Sequence, residues 1–431
     1  MGWLHEMVAM LGIPFEYEMK PTTWVYLSSL LIIGIYFKFR RFWSLRNLDL
    51  IGLICYAPGL LLVAYQQERL GYVWLFSVGG FFLVRLLIDP VLVRRPLLEP
   101  NLSAGGLVFT CVALLAFLAA SVVTQQGGFQ GDTARTAVVG HGSRCPLFLV
   151  MAGVSDKALA TADPGSVDSA SADAAKRKRV EEATTRTTAI LAHLAIVIAL
   201  VLIGYRHFDN IQSGIATATL YLLVPYTSQW TSEVDHVVPG AMLVWAVQCY
   251  RRPVFSGMLT GLAIGAIYYP AFLLPFWCAF YWRRGLFRFG FGLAATLGIL
   301  ALAVTLTPSG WELFAQQFRD LIGNAPDGFW KHHVQEYRIP VFVAFGVLCG
   351  SLALWPAQKN LGTLLSCSAA VMLGTQFWHA PQGGLYLAWY LPLLLLTIFR
   401  PNLEDRVALT AVSSGWKLWR KSRASAAEPA A

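Results

Sequence analysis

The stretch from Ile211 to Arg288 decides the fold and reads IQSGIATATLYLLVPYTSQWTSEVDHVVPGAMLVWAVQCYRRPVFSGMLTGLAIGAIYYPAFLLPFWCAFYWRRGLFR. Two apolar segments flank a short acidic turn that holds Glu233, Asp235 and His236, and a glycine-rich apolar segment follows between two pairs of arginines. Acidic side chains at the edge of a membrane helix are unfavourable unless they take part in chemistry or meet a cation. The stretch therefore predicts membrane helices with a site at one membrane face.

The composition of the whole chain is that of an integral membrane protein. Of its 431 residues 56% are hydrophobic and 13% are charged, and the mean hydropathy is +0.55. A soluble core cannot bury so many apolar segments of nearly spanning length, and backbone that faces lipid must be helical. We predict an all-α polytopic transmembrane bundle of about 11 crossings. The predicted spans are 23–37, 48–65, 70–88, 103–124, 187–205, 211–228, 237–250, 289–307, 340–356, 361–377 and 385–399.

The basic residues set the predicted topology. The formal net charge is +9, but the cations lie in short loops between spans, so they indicate orientation and not nucleic-acid binding. Outside the C-terminal tail they include Lys38, Arg40, Arg41, Arg46, Arg94, Arg95, Arg206, Arg251, Arg252, Arg283, Arg284, Arg288 and Lys359. The opposite loops carry Glu68, Glu233, Asp235, Asp320 and Asp327. With the cations on the cytoplasmic side, the N-terminus is predicted outside and the C-terminus inside.

The apolar segment 255–282 has two interpretations. Its flanking arginine pairs, Arg251-Arg252 and Arg283-Arg284, lie on the same side only when the segment enters and returns as a re-entrant helical hairpin. The predicted break is at Tyr269-Pro270, because proline disfavours helix at the residue before it. A single tilted, kinked helix is the alternative. Within the segment, Gly257, Gly261 and Gly265 have the spacing that lets membrane helices pack closely.

The chain divides into three parts. Residues 1–102 are predicted to hold an interfacial N-terminal helix and a module of three membrane helices, in which Arg85 and Asp89 form an i,i+4 structural pair. Residues 103–400 form a larger membrane core with outer loops 125–186 and 308–338, and the first of these is predicted to be disordered or loosely helical. Residues 401–431 form a cytoplasmic tail.

Three acids are the catalytic candidates. Asp235 and Glu233 lie where the next helix begins, so one interpretation is that Asp235 or Ser232 only caps that helix. The other is that a carboxylate orients or deprotonates an acceptor hydroxyl, with His236 beside it, or binds a divalent metal ion near a phosphate. Asp132 follows a flexible glycine run beyond the span 103–124 and is either a base or a turn residue. No metal ligand set is predicted.

Other candidate binding residues lie further along the chain. Tyr268 and Tyr269 would occupy the tip of the hairpin, where buried hydroxyls need partners. Lys331, His332 and Arg338 could contact a lipid phosphate. His332 and His333 are adjacent, so their side chains diverge and do not share a metal ion.

Taken in order, residues 103–399 resemble the GT-C superfamily of integral membrane glycosyltransferases, and most closely its polyprenyl-phosphate-sugar-dependent mannosyltransferase and aminoarabinose-transferase branch. The resemblance lies in a large first outer loop, the aspartate-led helix VDHVVPGAMLVWAV, the hairpin GMLTGLAIGAIYYPAFLLPFW and the closing segment LAWYLPLLLL. In the place of the family's lysine before the hairpin proline, this chain has Ile267-Tyr268-Tyr269. The resemblance implies Asp132 as the base in the first outer loop.

The family also implies a function. It would be transfer of a sugar from a polyprenyl-phosphate-linked donor to an acceptor at the extracytoplasmic face of a bacterial inner (plasma) membrane, with membrane lipids as surroundings. The alternative is a non-enzymatic polytopic protein, either a carrier or an assembly scaffold. A carrier needs ionisable groups at mid-membrane depth, whereas those of this chain cluster at the faces.

Overall fold

The computed structural model describes residues 20–92, 99–124, 170–306, 328–356, 359–379 and 382–401, together with positions 147, 311, 312 and 315. Helices and their connections make up these residues, and no strand occurs among them. The α-helices are α1 Pro21–Tyr36, α2 Leu45–Ala64, α3 Glu68–Ile88, α4 Ala104–Thr124, α5 Ala170–His207, α6 Ile211–Leu223, α7 Pro225–Gln229, α8 Val234–Gln248, α9 Pro253–Ala266, α10 Leu274–Tyr281, α11 Leu286–Thr305, α12 Arg338–Leu354, α13 Leu361–Thr375 and α14 Leu391–Phe399. The predicted all-α class is confirmed for this part of the chain.

Five helical segments are long and apolar enough to cross a membrane, as expected of a membrane protein. They are Leu45–Ala64, Glu68–Val91, Ala104–Val123, Ala183–His207 and Leu286–Thr305. Shorter apolar helices accompany them, among them α1, α6, α9, α12 and α13. The count of about eleven crossings and the direction of the chain through the membrane remain predictions.

The contacts of α3 define two ends of the bundle. Glu68 at its start lies 3.5 Å from the Lys331 amine, whereas Asp89 just beyond its last turn lies 2.7 Å from Arg400. A helix of 21 residues is about 30 Å long, so these contacts are a membrane thickness apart. We name the first the acidic end and the second the basic end.

The predicted pair of Arg85 and Asp89 is confirmed and belongs to a larger buried network at the basic end. The Arg85 guanidinium lies 2.9 Å from Asp89 and also 2.9 Å from Asp49 of α2. Arg400 completes the network on the far side of Asp89. Two cations thus neutralise two carboxylates where lipid and protein exclude water, which ties the first helices to the end of α14.

The segment between α8 and α11 has the contacts of a re-entrant hairpin and not of one kinked helix. Helix α9 ends at Ala266, where Ile267 is extended, and α10 begins after a short turn. Tyr281 at the end of α10 donates to the Tyr250 carbonyl before α9 at 2.8 Å. A Cβ on Gly285 would lie 3.3 Å from Pro253, so both arginine pairs lie at the basic end.

Helices α9 and α11 start side by side and run parallel through glycine contacts. A Cβ on Gly257 would meet the Phe289 carbonyl, and one on Gly261 would lie 3.0 Å from Thr296. On α11, a Cβ on Gly292 would meet the Val254 carbonyl. The predicted small-residue packing is confirmed, and its partner is α11.

Some predicted spans differ from the observed helices. The span 211–228 is broken at Val224, which is extended because Pro225 follows it. Only the last part of the predicted span 385–399 forms an α-helix. This helix, α14, has 9 residues and is about 14 Å long, which is too short to cross a membrane alone. Helix α5 begins at Ala170, so the last part of the predicted outer loop 125–186 is helical.

Candidate functional site

The acidic turn lies between α7 and α8. The local sequence determines where these two helices begin. Pro225 fits the first turn of α7 because its fixed backbone suits that position and its missing N–H has no helical role there. Glu233 occupies the N-cap position of α8 with an extended backbone and makes no side-chain cap. The Asp235 carboxylate instead accepts hydrogen bonds from the backbone of Asp235 and His236. Asp235 therefore helps to cap the start of α8, whereas the Glu233 side chain does not cap this helix.

The surroundings of Asp235 shift the pKa of its carboxyl toward neutral pH. It precedes the apolar part of α8 and is half-buried. Burial and, to a lesser extent, the neighbouring Glu233 carboxylate raise the pKa of this carboxyl from 3.8 to about 8. A carboxyl whose pKa lies near neutral pH can both take up and return a proton.

His236 is fully buried beside the acids. Its Nδ1 lies 2.6 Å from the Tyr226 hydroxyl, and its ring packs against Trp230 at 5.2 Å and Tyr386 at 4.3 Å between centroids. Its Nε2 has no hydrogen-bond partner within the described residues. Burial lowers the pKa of His236 to about 3, so the imidazole is neutral at pH 7.

An aromatic wall extends from this histidine to the tip of the hairpin. Tyr386 stacks on Trp389 at 4.3 Å and on His379 at 5.0 Å. Tyr269 continues the wall, at 4.7 Å from His379 and 5.1 Å from Trp389. The Trp389 indole donates to the Asp235 carbonyl at 3.0 Å. The prediction that Tyr269 lies deep in the protein is confirmed, while Tyr268 is half-buried.

Gln376 fixes the turn that carries Tyr386. It is buried just after α13, and its side-chain oxygen accepts from the backbone N–H of Gly384 at 3.0 Å and of Tyr386 at 3.3 Å. Gly384 has φ +96, a conformation that glycine adopts without strain. The side chain thus replaces the missing backbone partners of an irregular turn at the end of the bundle.

Of the three predicted cationic residues, Arg338 lies at this wall. Its Nε donates to the Trp378 carbonyl at 2.8 Å, and Tyr269 is near enough to interact with it electrostatically. A path of touching rings therefore joins Arg338 to Asp235.

Lys331 and His332 lie elsewhere at the acidic end. Both contact Glu68, at 3.5 Å and 3.4 Å, in an open recess of about 830 Å³ lined also by Gln66, Gln67, Arg69 and His333. His333 turns away from His332 and bonds the Phe329 carbonyl at 2.8 Å. The predicted divergence of the two histidines is confirmed. Lys331 and His332 already contact the Glu68 carboxylate. The predicted lipid-phosphate contact did not include this partner.

The predictions for Asp132 and for a metal ion can be compared with the structure only in part. Asp132 lies outside the described residues. No group of three or more His, Cys, Asp or Glu side chains that could hold a metal ion occurs among the residues that are described. Within them, Glu233 and Asp235 are the pair that could bind a cation, together with oxygens from a ligand.

Sequence reasoning missed Tyr226, Gln376 and His379. Each is an isolated polar residue in an apolar segment, and its partner lies at a distance along the chain that has no helical period. The available signal was the buried polar group itself, because such a group requires a partner. Comparison with known proteins gives no match: no family model, curated protein or solved structure is detectably similar to this chain.

Proposed function

We propose that this protein is a membrane glycosyltransferase that moves a sugar from a polyprenyl-phosphate donor to an acceptor at the extracytoplasmic face. The observation that supports it is the joining of Glu233, Asp235 and His236 to Tyr269 and Arg338 by one aromatic wall at the acidic end. A carboxyl pair, a hydrogen-bonding imidazole, stacking rings and a guanidinium are the groups that a phosphate-linked sugar requires.

The groups take separate roles in this proposal. Asp235, whose pKa burial raises to about 8, removes or returns the proton of the acceptor hydroxyl, and Glu233 keeps that pKa high. If Asp132 comes to the same site, it would act as the base and Asp235 would orient the acceptor. A divalent ion held by Glu233 and Asp235 would bind the acceptor hydroxyl and make its proton easier to remove.

Arg338 is the phosphate-binding group of the proposal. Its Nε donates to the Trp378 carbonyl, and a planar guanidinium carries its donors in the fork geometry that phosphate oxygens accept. The polyprenyl chain would lie along the exposed apolar side chains of α12, among them Ile339 and Val343. Lys331 and His332 would assist once the donor displaces Glu68.

The test is a transfer assay on purified protein in lipid nanodiscs, with a labelled polyprenyl-phosphate sugar as donor. Asp235→Asn should lower turnover by about 10²–10⁴-fold with folding intact. Asp209→Asn is the matched control: Asp209 is exposed and has φ 52, a left-handed conformation that Asn tolerates.

Native mass spectrometry of the same preparation identifies the lipid. A bound polyprenyl phosphate or its sugar conjugate supports the proposal and names the donor by its mass. If no such lipid binds, even when added, and the Asp235 and Asp132 variants behave as wild type in cells, the protein is a carrier or scaffold.

A further inference from the structure

The imidazole of His236 has a defined tautomer. Tyr226 has one hydroxyl proton, and its oxygen already accepts a backbone hydrogen bond from Ala388. We therefore assign the 2.6 Å contact to His236 as a donation from the Tyr226 hydroxyl to Nδ1. Because the ring is neutral, its one proton is on Nε2.

That Nε2–H is a donor without an acceptor. The atom is buried and has no partner among the described residues, and the whole residue is 0% exposed. Leaving a buried donor unsatisfied is unfavourable, so an oxygen from beyond the described residues is expected there. Gln229 and Thr231, which precede His236 by seven and five residues, also have buried side-chain atoms without partners in the described part of the chain.

The charge around this donor selects the kind of oxygen. Glu233 lies three residues before His236 on the same turn, and its carboxylate repels a phosphate or another anion at that distance. The carboxyl groups of Glu233 and Asp235 accept hydrogen bonds from hydroxyl groups, and the His236 Nε2–H donates to hydroxyl groups. A carbohydrate presents hydroxyls that both donate and accept, and the Trp230 and Tyr386 rings, which pack against the imidazole, make the surroundings of this donor apolar.

We infer that Tyr226 is a positioning residue that holds His236 as the Nε2–H tautomer, and that this donor binds a hydroxyl or ring oxygen of a carbohydrate. The inference rests on the proposed function in one respect: that function identifies polyprenyl phosphate as the carrier of the sugar. It adds that the acidic turn binds the sugar itself and that the phosphate lies toward Arg338.

The first measurement is nitrogen NMR of protein labelled with ¹⁵N histidine, in nanodiscs because maltoside detergents carry a sugar. The chain has 8 histidines, and the His236 signal is the one lost in His236→Gln. The wild type should show the Nε2–H tautomer, and Tyr226→Phe should show a mixture. Tyr205→Phe removes the hydroxyl of an exposed tyrosine and should leave the spectrum unchanged.

The second measurement is saturation-transfer NMR with methyl hexopyranosides and methyl pentopyranosides, with inorganic phosphate as the competing probe. At least one glycoside should bind, phosphate should not displace it, and Tyr226→Phe should weaken it by about tenfold. The inference is overturned by an Nδ1–H tautomer in the wild type, by phosphate displacing every glycoside, or by wild-type affinity in a folded Tyr226→Phe protein. The wild-type spectrum decides the tautomer even where that variant does not fold. A protein that binds glycoside but transfers no sugar would remove the proposed function and leave this inference standing.

Discussion

Two glycines of α11 make opposite predictions for the same substitution. Gly292 faces α9, where an added Cβ would meet the Val254 carbonyl and lie 3.2 Å from the Met258 nitrogen. Gly298 lies two turns nearer the end of the helix, and nothing is within 4 Å of its added Cβ. Alanine has the better helix propensity at both positions, so any difference between the two variants comes from the contact with α9.

The magnitudes follow from the contacts. At Gly292 the obstacle is backbone, which cannot rotate away, so the helices must separate, and we expect Gly292→Ala to lower the free energy of unfolding by about 1–3 kcal/mol. At Gly298 the methyl group enters open space, and Gly298→Ala should leave stability unchanged or raise it by up to about 1 kcal/mol.

The assay is equilibrium unfolding by SDS titration in mixed micelles, followed by far-UV circular dichroism, with wild type and both variants measured in parallel. Equal midpoints for the two variants, or a Gly292→Ala protein as stable as wild type, would refute the parallel packing of α9 on α11. A smaller loss in Gly261→Ala is also expected, because its Cβ would meet a side chain, Thr296, at 3.0 Å.

Three further predictions concern other parts of the molecule. Arg85→Gln should lower the free energy of unfolding by about 3–5 kcal/mol because Asp49 loses its buried partner, and the Arg85→Gln/Asp49→Asn protein should be less destabilised in the same titration. Folding raises the pKa of the Asp235 carboxyl from 3.8 to about 8, so the folded protein binds this proton more tightly than the unfolded chain does. The melting temperature of the wild type should therefore fall relative to that of Asp235→Asn as the pH rises from about 4 to about 8. Parallel curves of melting temperature against pH would contradict this. Gln376→Leu should leave two backbone N–H groups unsatisfied, and hydrogen exchange should show lost protection at Tyr386 while α13 stays protected; unchanged exchange would exclude this role for Gln376.

The parts of the fold that the sequence predicts are those with local signals. Arg85 and Asp89 are four residues apart, which places them on one helix face whatever the rest of the chain does. The hairpin at Tyr269-Pro270 follows from paired arginines and a proline, and the contact of Gly285 with Pro253 agrees with it. Charge, helical period and proline act over a few residues, so one sequence suffices to read them.

The rest depends on tertiary contacts that have no local signal. Lys331 was interpreted as a lipid-phosphate residue, yet it contacts Glu68, which is 263 positions away in the chain. Tyr226 and His236 are 10 residues apart across two helices, a spacing without a helical period. Within the site, Asp235, His236 and Tyr269 were identified from composition and position, whereas the wall that joins them was not.

The hairpin formed by α9 and α10 also bears on how the chain enters its membrane. Since Gly285 returns to Pro253, we predict that residues between the two arginine pairs add no net crossing. During biosynthesis, no polar loop of this segment has to be carried through the bilayer, because its turn is Tyr269-Pro270 and apolar neighbours. Reporter enzymes fused after Arg252 and after Arg284 should therefore give the same signal, and every helix that follows keeps its direction whether or not the hairpin has been inserted.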